Sequence, residues 1–405
     1  MSYNRLLPSY NQQLVELFVN PRCVVLLAAE PSADALGAAV AQHWLVQNPD
    51  VYLVGMAGPL MRAAGVKALW QMEDVSVMGL WEVLKHYPRL KRLQTSIIQQ
   101  LSNMKPDLVL GIDGPDFNLP IEAAMKRLNI PCYHFVAPTV WAWRPKRAER
   151  IAMQTDGLLC LFNFEPPYFL VHDLPAAAVG HPLADRLPLM PDKIAARVAL
   201  GLSASDLVLA VLPGSRRGEW HYNAPLFWQT VSLLLADYPN LIVIVPCLHE
   251  RMQQVLQASA GNLPIRWVLA AQGASNVLTA ADVALVASGT ATLETALCHT
   301  PMVVAYRLHR LSFWIMNALR QTQWVALPNV IANRALVPEL LQDDATPEAL
   351  HSAVLPLLSA DSVARQQQLS VFSEIHQQLK LDAAASAVKQ LLLWWRGRVD
   401  VKGGR

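Results

Sequence analysis

Short and almost entirely apolar runs recur along the chain and predict buried β-strands. They are CVVLLAA (23–29), VYLVGMA (51–57), DLVLGI (107–112), DLVLAVLP (206–213), LIVIVP (241–246), VALVAS (283–288) and PMVVAY (301–306). Strands covered on both faces lack apolar–polar alternation, so these runs favour parallel sheets. Helical patterns lie between them, as at Ile121–Leu128 and Pro225–Asp237. Strands that alternate with helices indicate an α/β fold.

The strand–helix pattern begins twice, near Cys23 and again near Asp206. It therefore predicts two doubly wound, Rossmann-like domains that face each other across a cleft. The predicted division is an N-terminal extension (1–21), a first domain (22–195), a second domain (196–370) and a C-terminal helical segment with a tail (371–405). We expect this last segment to pack back on the N-terminal domain or on a partner protomer.

Composition narrows the class of protein. Hydrophobic residues make up 53% and charged residues 16%, where about 25% charged is usual, and this excludes an intrinsically disordered chain. The net charge of +2 gives no overall basic field for nucleic acid. The five cysteines form no CxxC pair and the histidines no HExxH spacing, so we expect neither a disulfide framework nor a metal site.

The apolar composition raises the question of a membrane span, which requires about 20 apolar residues. The best candidate, Val283–Tyr306, contains Gly289 and Pro301 and is interpreted as strand, loop, helix and strand. Leu311–Leu319 is too short to cross, and the N-terminus lacks the features of a secretory signal. We therefore expect a cytoplasmic protein that touches a membrane without crossing it.

Two carboxylates follow predicted strands directly. Ligands of open α/β sheets bind beyond the carboxyl ends of the strands, and Glu30 and Asp113 both lie there. Asp113 is the stronger candidate for a general base, because Gly114 forces a turn immediately after it. The structural alternatives are that Glu30 and Asp34 complement a helix N-terminus and that Asp116 caps a helix.

Two further junctions, LPGSRRGEW and ASGTATLETA, resemble phosphate-binding turns. Their candidate residues are Gly214, Ser215 and Arg216 in the first and Ser288, Gly289, Thr290 and Glu294 in the second. Backbone N–H groups at such turns and an arginine fork bind phosphate, and a carboxylate can accept ribose hydroxyls. Walker A and GxGxxG motifs are absent, so a nucleoside diphosphate is favoured over NAD. The alternatives are an exposed arginine on a turn and ordinary helix capping.

A mixed aromatic and basic segment, VWAWRPKRAER, follows the first domain's central strands. It contains Trp141, Trp143, Arg144, Lys146, Arg147 and Arg150. Such mixtures bind nucleic acid or lie at a membrane interface. A solvated basic helix after a packed loop is the equally weighted alternative.

Together these segments resemble the lipid-A-disaccharide synthases, bacterial inverting glycosyltransferases of the GT-B type. The matching segments run in order from about Val24 to Leu393. They are the Glu30 junction, VGMAGPLMRAAG, VMGLWEVL, GIDGPDFN, VAPTVWAWRPKR, VGHPLAD, LPGSRRGE, ASGTATLE, PMVVAYR and LPNVIANR.

The resemblance implies a reaction and roles for individual residues. A UDP-linked 2,3-diacylglucosamine donates its sugar to the 6-hydroxyl of 2,3-diacylglucosamine 1-phosphate, without a metal or cofactor. Asp113 would be the base and Glu30 a second essential acid. The second domain would hold the nucleotide, with the 214–216 turn on phosphate and Glu294 on ribose. Asn329 and Arg334 would line the cleft.

The resemblance also implies a Gram-negative source, peripheral contact with the cytoplasmic face of the inner membrane and a homodimer. Trp81 and Trp314 are the expected acyl or membrane contacts. The family's GETSGD loop reads AEPSAD here, with alanines at Ala29 and Ala33, so this loop is expected to have a different shape. The alternatives are a UDP-sugar epimerase of the same architecture and a non-catalytic nucleotide-sugar or lipid-binding protein.

Overall fold

The computed structural model describes residues 20–75, 80–143, 146–270, 274–287, 289–309, 320 and 322–403. Contacts group these residues into two compact units. Unit 1 comprises the described residues of Met1–Pro182 and Leu381–Arg405, and unit 2 those of Leu183–Lys380. The sequence placed the domain boundaries at 195/196 and 370/371, whereas the contacts separate the chain at 182/183 and 380/381.

Unit 1 is a parallel sheet with helices on both faces. Its strands are β1 (Cys23–Ala28), β2 (Tyr52–Ala57), β3 (Lys67–Gln71), β4 (Leu108–Ile112), β5 (Cys132–Phe135), β6 (Gly157–Cys160) and β7 (Ala176–Ala178). Its helices are α1 (Pro31–Gln47), α2 (Pro59–Ala63), α3 (Leu80–Met104), α4 (Pro115–Arg127), α5 (Val140–Trp143), α6 (Arg147–Gln154), α7 (Pro167–Leu170) and, at the C-terminus, α17 (Ala383–Gly403); a 3₁₀ turn spans Met72–Asp74.

The order of strands in unit 1 creates a switch point between β1 and β4. The sheet runs β3-β2-β1-β4-β5-β6-β7 with every pair parallel. From β1 the chain continues towards one edge of the sheet, and from β4 it continues towards the other. Ala28 at the end of β1 is in register with Ile112 at the end of β4. In doubly wound folds, a ligand crevice opens beyond the carboxyl ends of such strands.

A glycine in β2 lets this strand lie close to β1. Gly55 has φ of +150°, and a Cβ there would lie 1.9 Å from the carbonyl oxygen of Leu26.

The C-terminal helix α17 packs against α1. Trp394 stacks on Tyr133, and the Trp395 Nε1–H donates to the Asp107 carbonyl. Packing of the same segment on a partner protomer stays a prediction.

Unit 2 repeats the architecture. Its strands are β8 (Val208–Leu212), β9 (Ile242–Cys247), β10 (Ile265–Leu269), β11 (Val283–Ala287), β12 (Met302–Tyr306) and β13 (Glu339–Leu341). Its helices are α8 (Pro182–Arg186), which starts at the unit boundary, α9 (Lys193–Ala199), α10 (Arg217–Asp237), α11 (Glu250–Ala260), α12 (Ser275–Ala280), α13 (Thr290–Leu297), α14 (Leu327–Ala332), α15 (Pro347–Leu358) and α16 (Val363–Leu379), with a 3₁₀ turn at Gln342–Asp344. The order β10-β9-β8-β11-β12-β13 is again wholly parallel.

The predicted α/β class with two parallel sheets is therefore confirmed. All seven apolar runs form strands, and Val283–Tyr306 is strand, loop, helix and strand as expected. The stretch 174–191, which is rich in proline and small residues and lies between the two strand–helix patterns, contains β7 and α8. Within the described residues, no helix combines the length and the apolar character needed to cross a membrane.

Candidate functional site

Unit 1 places Glu30 and Asp113 beside each other at the switch point. Glu30 follows β1 and Asp113 follows β4, the two neighbouring strands at which the sheet order reverses. Glu30 is the N-cap residue of α1, but its side chain makes no capping hydrogen bond. Although Glu30 is an exposed residue, partial burial of its carboxyl group raises its pKa, and the negative charge of Asp113 raises it further. The structure thus brings the two predicted acids together.

The sequence left open whether Glu30 and Asp34 serve only at a helix N-terminus. In the structure, Asp34 has this role. Its buried carboxylate accepts hydrogen bonds from the backbone N–H groups of Gly58, Leu60 and Met61, at 2.8, 2.9 and 3.1 Å. These are the orphan donors at the start of α2. Asp34 therefore caps a neighbouring helix and leaves Glu30 as the carboxylate of this junction without a capping role.

A left-handed backbone at Asp113 fixes the direction of its side chain. Its φ is +52°, which is unfavourable for a residue other than glycine. The Asp113 N–H donates to the Phe135 carbonyl at 2.8 Å, and Asp113 Oδ1 accepts from the Gly114 N–H at 2.9 Å. The surrounding contacts must offset the energetic cost of this backbone conformation.

Asn118 supplies the main contact that holds the junction. Its side chain is fully buried in α4, and its Nδ2 lies 2.8 Å from the Asp113 carbonyl oxygen and 3.2 Å from those of Ile112 and Leu27. One amide group thereby binds the carboxyl ends of both β1 and β4. The separation of Glu30 and Asp113 depends on this contact.

A second buried polar pair seats α4 on the sheet. Glu122 Oε1 lies 2.7 Å from His134 Nδ1, and neither side chain is exposed. His134 is in register with Gly111 of β4, where a Cβ would lie 2.0 Å from Glu122 Oε1. Glycine at this position therefore allows α4, with Asn118 on it, to approach β4 closely.

In unit 2, the predicted phosphate-binding turn already holds a carboxylate. The Glu219 Oε2 atom accepts from the backbone N–H groups of Ser215 and Arg216 at 2.8 and 3.1 Å. Gly214 has φ of +113°, and a Cβ there would lie 2.5 Å from the Cβ of Glu219. Two amides of the turn that is predicted to bind phosphate are therefore occupied by the chain's own acid.

The Arg216 guanidinium remains accessible. Its side chain is 84% exposed and its Nη1 lies 3.3 Å from Glu219 Oε1. Burial raises the pKa of the Tyr306 hydroxyl, at the end of β12, and the charge of the same carboxylate raises it further. The next N–H groups of α10, at Arg217 and Gly218, begin a helix and have no acceptor within it.

The second nucleotide junction lies at the start of α13. Gly289 is its N-cap with φ of +135°, a Cβ there would meet open space, and Thr290 is exposed. Glu294 Oε1 accepts from the Ala274 N–H at 2.9 Å, just before α12, and burial raises the pKa of its carboxyl. One oxygen of Glu294 therefore already serves α12. Ser288 lies outside the described residues.

Asn329 is a buried structural residue. Its Nδ2 donates to the Val337 carbonyl and to Glu339 Oε1, at 2.9 and 2.8 Å, and its Oδ1 accepts from the Leu336 and Val337 N–H groups. It thereby fixes the chain between α14 and β13 from within unit 2, whereas Arg334 is exposed.

Four other positions named from the sequence are not described. Trp314 and Arg144 lie outside the described residues, as do the side chains of Trp81 and Trp143. Among the residues that the structure does describe, no group of three or more His, Cys, Asp and Glu side chains is arranged to hold a metal ion.

Sequence reasoning missed Asn118, Glu122 and Glu219. A signal existed for each of them. Asn118 and Glu122 are polar residues four apart in an otherwise core-facing helical pattern, and such a pair lies on one helix face. Glu219 is three residues after Arg216, the spacing of a capping box.

Comparison with known proteins decides the family. A family model described as lipid-A-disaccharide synthetase matches residues 24–391. A lipid-A-disaccharide synthase of Pseudomonas savastanoi pv. phaseolicola is 45% identical over 378 residues, covering 92% of this chain and 98% of the relative. Another, from Azotobacter vinelandii, is 43% identical over 375 residues, covering 91% and 97%. The chain belongs to the lipid-A-disaccharide synthase family. The family predicted from the sequence is thus confirmed, and the protein is a glycosyltransferase of lipid A disaccharide synthesis.

Solved structures confirm the GT-B fold of this family member. The glycotransferase of kitacinnamycin matches with a TM-score of 0.62 at 14% identity, covering 93% of this chain and 100% of that one. A putative UDP-N-acetylglucosamine 2-epimerase from Listeria monocytogenes matches with a TM-score of 0.61 at 13% identity, covering 90% and 94%. Because both activities occur on this fold, the family match rather than the fold disfavours the epimerase alternative.

The Glu219 contact generates a prediction about UDP binding by this synthase. We expect Glu219→Ala to weaken UDP binding roughly tenfold, because the turn that carries Arg216 loses its charged hydrogen bonds. Isothermal titration calorimetry with UDP measures the change. Glu250→Ala, which removes an exposed acid from the first turn of α11, is the control. Tighter binding in Glu219→Ala would show instead that the carboxylate competes with phosphate.

Proposed function

We propose that the chain transfers 2,3-diacylglucosamine from UDP to the 6-hydroxyl of 2,3-diacylglucosamine 1-phosphate, giving a β-1,6-linked disaccharide phosphate and UDP. The observation that carries this proposal is the pair of carboxylates, Glu30 and Asp113, at the switch point of unit 1 in a chain of this family. A hydroxyl nucleophile requires a base, and one of two neighbouring acids can supply it.

Asp113 is the proposed base. As the acceptor's O6 attacks the anomeric carbon, its proton passes to the Asp113 carboxylate, the new O6–C1 bond forms and the bond from C1 to the UDP oxygen breaks. Attack opposite the leaving group inverts the anomeric centre. Glu30 is proposed as a second acid near the reacting sugar; partial burial and the charge of Asp113 raise its pKa, so it retains a proton to higher pH than an ordinary glutamate.

Unit 2 is the proposed nucleotide site. The exposed Arg216 fork and the first N–H groups of α10 would bind the diphosphate, with further backbone donors at Gly289 and Thr290. The Glu294 carboxylate would accept the ribose hydroxyls. The charge of Arg216 and the positive ends of the two helices stabilise the UDP that leaves. The family resemblance implies that no metal or cofactor takes part.

Peripheral contact with the inner membrane is part of the proposal. Both substrates carry acyl chains, so the enzyme must meet them at a membrane surface. We expect Trp81→Glu or Trp314→Glu to reduce liposome co-sedimentation several-fold, because a buried charge opposes insertion. Met190→Glu, which replaces an apolar residue that is 87% exposed, is the control. Unchanged binding in both tryptophan variants would contradict these two contacts.

The role of Asp113 is tested by separating binding from turnover. We expect Asp113→Asn to keep the UDP affinity of the wild type and to lose about 10²–10⁴-fold in kcat, the contribution of a general base. Arg216→Ala should instead weaken UDP binding. Calorimetry and a coupled UDP-release assay give the two quantities, with Asp50→Asn and Arg266→Ala as exposed controls.

The same assay distinguishes the remaining functions. UDP release that requires the diacylated acceptor and yields a disaccharide supports the transferase. Donor conversion without acceptor would indicate an epimerase, and tight UDP binding without turnover would indicate a binding protein. Reversed effects of Asp113→Asn and Arg216→Ala would contradict the assigned roles.

A further inference from the structure

The structure separates the two halves of the VWAWRPKRAER segment. Trp141 packs inside unit 1, where its Nε1–H donates to Glu165 Oε1 at 3.2 Å, and Phe164 meets it edge to face. By contrast, Lys146 and Arg150 are exposed. Trp141 is therefore not a stacking platform for bases, whereas Lys146 and Arg150 are accessible to a ligand.

The basic half concentrates positive charge in one helical turn. Lys146 is the N-cap of α6, which begins at Arg147 and contains Arg150 in its first turn. With Glu149, the segment 146–150 carries three positive charges and one negative charge, a net charge of +2. Like charges three or four residues apart on a helix repel each other. A dianion bound here would relieve that repulsion.

The Arg147 guanidinium already holds an anion. Its Nη2 lies 2.6 Å from Asp116 Oδ1, and the Asp116 side chain is 92% exposed whereas that of Arg147 is 28% exposed. Exposed ion pairs of this kind contribute little to stability. A phosphate monoester fits the planar fork of arginine as well as a carboxylate does and carries more charge. It can therefore replace Asp116 on Arg147.

The Arg147 guanidinium lies close to the proposed base, Asp113. Asp116 is in the first turn of α4, whose N-cap Gly114 directly follows Asp113, and α4 packs on α6. Both helices begin at the carboxyl edge of the unit 1 sheet. A base for one hydroxyl and a cationic site for a phosphate are thus adjacent on the same edge.

We propose that Lys146, Arg147 and Arg150 bind the anomeric phosphate of the acceptor, with the phosphate replacing Asp116 on the Arg147 fork. The inference rests on the proposed function, because it requires an acceptor that presents a hydroxyl and a phosphate monoester. It adds a specificity-determining site in unit 1 that is separate from the UDP-binding residues of unit 2.

Two acceptors that differ only in the phosphate test the site. The value of kcat/KM is measured with 2,3-diacylglucosamine 1-phosphate and with the same lipid lacking the phosphate, in one detergent and with saturating donor. The wild type should prefer the phosphorylated acceptor. Arg147→Ala should lower kcat/KM for that acceptor about 10- to 100-fold, the range for a charged hydrogen bond, and leave the other acceptor unchanged.

Further variants keep the result interpretable. Arg147→Lys should recover part of the preference, because it restores the charge without the fork. Asp116→Asn should raise kcat/KM for the phosphorylated acceptor by a few-fold, since it removes the competing anion. Arg127→Ala removes an exposed arginine at the opposite end of α4 and should leave both acceptors unchanged. UDP affinity should be the same in all of these variants.

Several outcomes would overturn the site. An equal loss with both acceptors would mean that Arg147 only supports the packing of α4 and α6. An unchanged preference, with weaker binding to anionic vesicles, would assign the cluster to lipid head groups at the membrane. A wild type that uses both acceptors equally would also refute the site while leaving the transferase intact. A wild type that makes no disaccharide with either would refute the proposed function itself.

Discussion

The candidate active site of unit 1 depends on one buried amide. Asn118 donates to the carbonyl oxygens at the ends of β1 and β4, and these two strands deliver Glu30 and Asp113. The amide can reach both strands only because α4 lies very close to the sheet, which Gly111 and the Glu122–His134 pair make possible. If the two strand ends moved apart, the buried N–H groups of Asn118 would lose acceptors at a cost in free energy, so the strand ends have little freedom to separate. The left-handed backbone of Asp113 is maintained by the same contacts.

Two of the groups that we assign to phosphate, the 214–216 turn and the Arg147 guanidinium, share a second feature: each holds a carboxylate of the chain. Glu219 occupies the Ser215 and Arg216 amides in unit 2, and Asp116 occupies the Arg147 fork in unit 1. The N–H groups at the start of a helix and the N–H groups of an arginine side chain require hydrogen-bond acceptors. The two carboxylates that supply them nevertheless differ in their exposure. Glu219 is nearly buried and shapes its turn, whereas Asp116 is exposed and exchangeable.

Much of this architecture could be predicted from the sequence, because parallel strands buried on both faces are apolar throughout. The strands that the sequence missed are edge strands or short ones, such as the partly exposed IRWVL of β10 and the three alanines of β7. The positions of Glu30 and Asp113 followed from their places after strands. Asn329 illustrates what a motif cannot show. The Asn329 amide can face either a ligand or the neighbouring backbone. Which of the two it does depends on the fold of residues 336–339, and the LPNVIANR motif does not contain those residues.

The central claim is that Glu30 and Asp113 form one pair of neighbouring carboxylates at the switch point of unit 1, and the titration of Glu30 tests it most directly. Carbon-13 NMR of labelled carboxyl groups, with Glu30→Gln for assignment, gives the pKa of Glu30 without any assay of activity. Burial and the charge of Asp113 both raise this pKa. We therefore predict a value above that of an ordinary glutamate, which falls in Asp113→Asn and does not change in Asp50→Asn. An ordinary pKa that is insensitive to Asp113→Asn would contradict the account.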